Sequence, residues 1–303
     1  MAKRPHPALG VLAMTCDLAI RLLPMRAASE LMALTARGFS RLFTNKRKFR
    51  RNLHAAFPEL DNSSLDTLTG KIIANCGRLI AEIAKISDFR SGARGTALSA
   101  GGASTYPFEQ RGKAIYVSAH LGNWELIPIL FRRNGLPLTI IHTAIHHPGI
   151  DDRLMSLRRE TGATYVEKSN ALRTCVAALK RGESIALLVD QRVETGIEVQ
   201  FFERPTVFTH FPARMALKFD CPIIVGEAVR LGPGRVEVVF HEPIWPDKQR
   251  SARAERELTQ KMAEVIEGCI YRHPEQWFCT KLRWKRSSTG GSAFGRFRDQ
   301  DQN

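Results

Sequence analysis

His120 and Glu125 stand five positions apart in the segment Ala114-Ile-Tyr-Val-Ser-Ala-His-Leu-Gly-Asn-Trp-Glu125. An imidazole oriented by a carboxylate is what general-base removal of a hydroxyl proton requires, because His titrates near neutrality and the acid fixes its tautomer. The bare spacing is common, so its meaning depends on the elements that carry it. Ile115 to Val117 reads as a short buried strand from its β-branched and aromatic content. Small residues follow, and Asn123 is suited to cap a helix, so the turn would swing Glu125 back towards His120 from the first helical turn. A second polar group closes another apolar run, Leu187-Leu-Val-Asp-Gln-Arg192. Asp190, Gln191 and Arg192 there read either as a structural ion pair or as part of a substrate grip. In the second reading Arg192, with Arg204 of Phe201-Phe-Glu-Arg-Pro205, holds a phosphate or carboxylate, which guanidinium matches bidentately.

The elements that must position these residues alternate. Strands are expected at Ile115–Ser118, Leu138–His142, Ala163–Val166, Ser184–Val189, Pro222–Val229 and Arg235–Phe240. Helices are expected at Leu65–Ile86, Trp124–Asn134, Ile150–Thr161, Ala171–Arg181, Phe211–Asp220 and Ala254–Arg272. This order predicts an α/β fold, a mixed and largely parallel sheet covered by helices, with function at the carboxyl ends of the strands. Gly92 to Gly102 is rich in Gly, Ala and Ser and reads as a link. It divides the chain into an N-terminal helical, membrane-associating region over 1–90 and an α/β region over 91–286 that forms one unit with those helices. Residues 287–303 read as a flexible basic tail.

The balance of 45 basic against 30 acidic residues gives a formal charge of +15. A surface this basic calls for an acidic partner: nucleic acid, an anionic membrane, a phosphorylated substrate or an acidic carrier protein. No helix-turn-helix, zinc finger or aromatic RNA-binding motif supports the first of these. The six cysteines, at 16, 76, 175, 221, 269 and 279, form no C-x2-C pair. They suit reduced thiols in a cytoplasmic compartment better than a disulfide framework or a zinc site. His142, His146, His147, Asp151 and Asp152 contain an H-x3-H spacing, but Pro148 and Gly149 make them loop residues, so no metal is expected.

Leu9 to Leu23 is apolar, but Asp17 and Arg21 interrupt it, and a spanning helix needs about 20 mostly apolar residues. The two charges fall on one helix face and the leucines largely on the other, the pattern of a helix lying in a membrane interface or packed on the protein body. Lys46-Arg-Lys-Phe-Arg-Arg51 carries five positive charges in six residues, suited to anionic headgroups, to a solvated helix face or to nucleic acid. Pro274 to Arg286 mixes aromatics and cations, which would anchor to an interface or close the core.

Taken together, the segments Asn52-Leu-His-Ala-Ala-Phe-Pro-Glu59, Ser118-Ala-His-Leu-Gly-Asn-Trp-Glu125, Leu157-Arg-Arg-Glu-Thr-Gly162, Leu188-Val-Asp-Gln191, Phe201-Phe-Glu-Arg-Pro205 and Pro274-Glu-Gln-Trp277 resemble the bacterial lipid A biosynthesis acyltransferases, the late lauroyl/myristoyl transferases of the lysophospholipid acyltransferase superfamily. They occur in the family's order, and the resemblance covers roughly residues 10 to 286. Three positions depart from the pattern: Cys279 and Thr280 stand in a usually more aromatic and basic tail, and Glu203 replaces a common small residue. The resemblance implies transfer of a fatty acyl chain from acyl carrier protein to a hydroxyl of a lipid A precursor, with no cofactor, on the cytoplasmic face of the inner membrane. It implies His120 as general base, Glu125 as the acid that holds its tautomer, and Arg158, Arg192 and Arg204 near the substrate; backbone amides near Gly122 are candidates for the oxyanion role. Another glycolipid or a lysophospholipid is the alternative acceptor, and a nucleic-acid-binding protein the rival class.

Overall fold

The computed structural model describes residues 18–39, 46–101, 106–109, 112–145, 148–247 and 250–284. Helices come first among the described residues: 18–22 are helical, followed by α1 (Met25–Gly38), α2 (Lys46–Ala56), α3 (Asn62–Ala84) and α4 (Ile86–Ser91). Strands and helices then alternate through β1 (Ala97–Gly101), α5 (Tyr106–Glu109), β2 (Ile115–Ser118), α6 (Ile127–Arg133), β3 (Leu138–His142), α7 (Pro148–Arg159), β4 (Thr164–Glu167), α8 (Ala171–Lys180) and β5 (Ser184–Leu188). The hairpin β6 (Ile197–Phe201) and β7 (Arg204–Phe208) follows, then α9 (Phe211–Phe219), β8 (Ile223–Gly232), β9 (Arg235–Phe240) and α10 (Ala252–Arg272).

Seven strands form one sheet in the order β1-β9-β8-β2-β5-β3-β4. All neighbours run parallel except β8 and β9, which pair antiparallel across a tight turn. The short all-apolar strands explain the parallel core, since a strand buried on both faces needs no polar side. Alternation divides each strand between two clusters. Ile115, Val117, Ile223 and Val225 face one core with α8, α9 and α10. Tyr116, Ile224 and Ala228 face the other, with Phe131, Phe240 and Phe89. The N-terminal helices feed both: Phe49, Leu53, Ile72 and Ile73 belong to the first, Met25, Ala28, Ala81 and Ala84 to the second. They are bonded into the α/β body rather than appended to it.

The expected fold class holds, a mixed, largely parallel sheet covered by helices. Two local expectations change, and one open choice is decided. Gly92 to Gly102 is not a plain link: Gly92 ends α4 at φ 71° and residues 97–101 form edge strand β1, parallel to β9. Its small residues carry no strand signal of their own, so the pairing is imposed by the backbone of β9. Residues 197–208 form a hairpin whose two loop residues, Phe202 and Glu203, have φ of 51° and 55°. A two-residue loop with positive φ at both positions is of the type I′ class and ordinarily selects Asn or Gly, so Phe202 and Glu203 carry no turn signal. Here Phe202 is held by packing on Phe57, Phe201 and Trp277 and by its amide donating to Glu267 Oε2. Of the two readings of the segment that begins at Pro274, core closure holds: Trp277, Phe278, Cys279 and Arg283 are all buried. Asn52 secures this segment, donating to the carbonyls of Cys279 and Lys281 and accepting from Arg283 N.

The basic run at α2 uses Phe49 and Leu53 as its buried face, while Arg50 bonds Asp66 and Asn62 of α3. Most of Leu9–Leu23, together with His146, His147, Cys16 and the tail 287–303, lies outside the described residues. Asp151 and Asp152 belong to α7, not to a loop. Among the described residues no helix is long and apolar enough to cross a membrane.

Candidate active site

Parallel register decides which side chains meet at the carboxyl end of the sheet. Ser118 of β2 pairs with Leu188 of β5, and Val189 N donates to Ser118 O at 3.0 Å. Two residues further along each strand, His120 and Asp190 come face to face, with His120 Nδ1 2.7 Å from Asp190 Oδ1. Trp277 Nε1 donates to the other oxygen, Oδ2, at 2.9 Å. Asp190 is wholly buried. Burial alone would raise its carboxyl pKa, but the charge and hydrogen bonds of His120, aided by Trp277, outweigh it and hold the group below the usual carboxylate range. An ionised carboxylate on Nδ1 fixes the ring proton there and leaves the lone pair on Nε2. Gln191 Nε2 lies 3.3 Å from that nitrogen. The His120 side chain keeps 22% of its surface exposed, so a second molecule can reach the ring. Trp124 supports it edge-on at 4.9 Å between centroids.

Glu125 is not the partner of His120. Its carboxylate is gripped by Arg158 of α7, with Nη2 2.6 Å from Oε1 and Nε 3.0 Å from Oε2, and Trp124 Nε1 adds a 3.2 Å bond. Arg158 stacks over Tyr165 at 5.3 Å. Burial would depress the guanidinium, but the charge of Glu125 and its hydrogen bonds raise it further. The physical reason lies in the turn. Asn123 precedes a 3-10 turn, Trp124–Leu126, but makes no side-chain cap. Its amide instead donates to Glu82 Oε2 of α3 at 3.0 Å, so Glu125 is directed at α7 rather than back at the imidazole.

The turn itself is pinned from three sides. Gly122 has φ 58°, and a Cβ there would run into the carbonyl oxygen of Ala228. Gly122 N donates to Gln276 O, Phe278 N to His120 O and Asn123 N to Ala228 O. The amides of Gly122 and Asn123, candidates for the oxyanion role, are therefore engaged in holding the turn. Beneath them Arg230 of β8 bonds both oxygens of Glu82, at 2.6 and 2.7 Å, and Gln276 bonds the Arg230 backbone on both sides. Sequence reasoning missed Glu82, Arg230, Gln276 and Trp277 as supports, because each reaches the site from a distant part of the chain. It ranked Asp190 with substrate contacts; only the β2–β5 register could reveal it as the His120 partner.

Of the expected arginines, Arg158 joins the site through Glu125, whereas Arg192 pairs with Glu194 at 2.8 Å. Arg204 opens β7 on the hairpin and has no ion-pair partner among the described residues. The described cysteines are free thiols, and Cys175, Cys221, Cys269 and Cys279 are buried.

Over 177 residues the chain is 23% identical to the phosphatidylinositol mannoside acyltransferases of two strains of Mycobacterium tuberculosis, a match covering 56% of this chain and 54% of theirs. The chain thus spans about half the length of these curated relatives. Among solved structures it is similar to the 1-acyl-sn-glycerophosphate acyltransferase of Thermotoga maritima, at 16% identity and a TM-score of 0.38, covering 82% of this chain and 100% of that one. The model of the bacterial lipid A biosynthesis acyltransferases matches residues 3–286, nearly the full length, and the chain belongs to that family.

Proposed function

We propose that this protein transfers a fatty acyl group to a hydroxyl of a lipid acceptor, with His120 as general base and Asp190 as the residue that orients it. The observation that carries this reading is the 2.7 Å pairing of His120 Nδ1 with a wholly buried carboxylate, in a chain of this family. In the reaction the acceptor hydroxyl takes the place of the Gln191 amide at Nε2 and gives its proton to that nitrogen. The oxygen attacks the thioester carbonyl of the donor, forming the new C–O bond. Collapse of the tetrahedral intermediate breaks the C–S bond, and the departing thiolate recovers the proton from the imidazolium. Asp190 favours that imidazolium through charge, as the acid of a catalytic triad does. Glu125 acts at one remove, fixing Arg158 and the turn that carries His120. The residues need no cofactor beyond the acyl thioester.

In its finer form the donor is acyl carrier protein and the acceptor a lipid A precursor, on the cytoplasmic face of the inner membrane. The charge of +15 suits an acidic carrier, lipid phosphates and anionic headgroups alike. Leu18, Leu22, Leu31, Leu34 and Phe39 are exposed close in sequence to the basic α2, which suits a front end lying on an anionic leaflet. A second acceptor class, another glycolipid, is favoured by the mannoside named for the mycobacterial relatives.

His120→Ala and Asp190→Asn should each lower turnover with acyl carrier protein thioester and lipid A precursor by about 10²–10⁴-fold while the protein stays folded. Retention of most activity by Asp190→Asn would remove Asp190 from the mechanism. Mass spectrometry of lipid A from a deletion strain separates the acceptors: a missing acyl chain supports lipid A, and an unchanged pattern points to the other glycolipid.

A further inference from the structure

Away from His120, three side chains with metal-ligating atoms converge between the sheet and α10. Glu227 comes from β8, His241 from just beyond β9 and Cys269 from the last turns of α10. Their ligand atoms all lie within 4.8 Å of one another. His241 Nε2 is 3.1 Å from Glu227 Oε2 and 3.3 Å from Cys269 Sγ. In a tetrahedral zinc site, bond lengths of about 2.0 Å to N and O and 2.3 Å to S put neighbouring N and O ligands roughly 3.3 Å apart and N and S ligands roughly 3.5 Å apart. Both separations from His241 Nε2 are therefore close to those of a tetrahedral site, and the third pair lies within 4.8 Å.

Two observations indicate that the cluster is built around a cation. Arg272 places a single nitrogen, Nη2, 2.7 Å from Glu227 Oε2 and 3.5 Å from both His241 Nε2 and Cys269 Sγ. One positive nitrogen thus faces all three donors, where a metal ion would sit. Its side chain is 48% exposed while Glu227 is 2% exposed, so the guanidinium can swing out to solvent and the carboxylate cannot. In addition, Glu227 Oε1 is buried and accepts no hydrogen bond, with His273 Nε2 3.9 Å away. Such an oxygen is costly to bury unless something else engages it.

We propose that Glu227, His241 and Cys269 form a binding site for a divalent cation of the zinc class, with Arg272 as the internal cation that the ion displaces and His273 or water as the fourth ligand. On binding, the S–H bond of Cys269 breaks, its proton leaves to solvent and the thiolate coordinates the ion; His241 contributes the Nε2 lone pair. The role is structural. The ion clamps the C-terminal end of α10 to β8, one residue from Ala228 under the Gly122 turn. It also fixes the start of Pro274–Gln276, which leads to Trp277 on Asp190.

The test is titration of the metal-stripped full chain with Co2+, a spectroscopic stand-in for zinc. The expected result is one ion per chain with a near-ultraviolet thiolate-to-cobalt charge-transfer band, lost in Cys269→Ser. Arg272→Ala should tighten binding by about tenfold or more, since it removes the competing cation. Absence of the band from the native chain, or its survival in Cys269→Ser, overturns the proposal. If Cys269→Ser fails to fold, X-ray absorption on the zinc-loaded native chain decides: one sulfur among nitrogen and oxygen ligands supports the site, and a sulfur-free shell rejects it.

Discussion

At the residue scale, two carboxylates near His120 divide two tasks. Asp190 touches the imidazole at 2.7 Å, whereas Glu125 neutralises Arg158 through two hydrogen bonds. Their substitutions should therefore fail differently. Glu125→Gln leaves a buried guanidinium without its counter-charge, a loss of about 3–5 kcal/mol for a pair of this kind. Its melting temperature should fall sharply, while the pH profile of its residual turnover keeps the native shape. Asp190→Asn should instead change the pH profile of kcat/KM, because the group that favours the imidazolium has lost its charge. A native melting temperature for Glu125→Gln, combined with an altered pH profile, would reverse this division of labour.

At the scale of elements, the turn between β2 and α6 does most to set the site. Its path depends on Gly122 at positive φ and on the buried Glu82–Arg230 pair below it. Gly122→Ala forces either a strained backbone or displacement of β8 at Ala228. The expected cost is about 2–3 kcal/mol of stability, with loss of turnover beyond what the thermal shift explains; thermal melts read beside steady-state kinetics would show it, and a native-like variant would refute the tight approach. The strands and helices themselves were largely legible. β2, β3 and β9 fall at the positions that their β-branched runs predict, and the helices agree within a few residues at either end. What escaped was backbone-driven: β1 has no apolar pattern, and the β6–β7 hairpin turns on Phe202 and Glu203 without Gly or Asn.

At the scale of the whole molecule, two buried carboxyls, Asp190 and Glu227, couple stability to pH. Burial would raise both, but His120 and Trp277 around the first, and His241 and Arg272 around the second, bring each below its ordinary value. Each binds its proton more readily in the unfolded chain. Their stabilisation is therefore complete above the unfolded carboxyl values of about 4 and is lost as pH falls through the lower folded ones. Denaturant melts should show nearly constant stability from pH 7 to about pH 5 as far as these groups are concerned, then a steep fall on acidification, shallower in Asp190→Asn. An equal acid slope in that variant would show that Asp190 carries none of the linkage.

The sequence by itself determined the α/β class, the strand that leads to His120 and the family resemblance, because hydrophobic period and contiguous motifs are local properties of the chain. Tertiary structure alone decided which acid serves His120. Asp190 lies 70 residues away, and it is the parallel register of β2 and β5 that brings the two together. The same holds for the Glu227–His241–Cys269 cluster, whose members come from β8, the residue after β9 and α10, which share no sequence pattern. Spacing along a chain fixes neighbours within an element; pairing between elements fixes partners in a site.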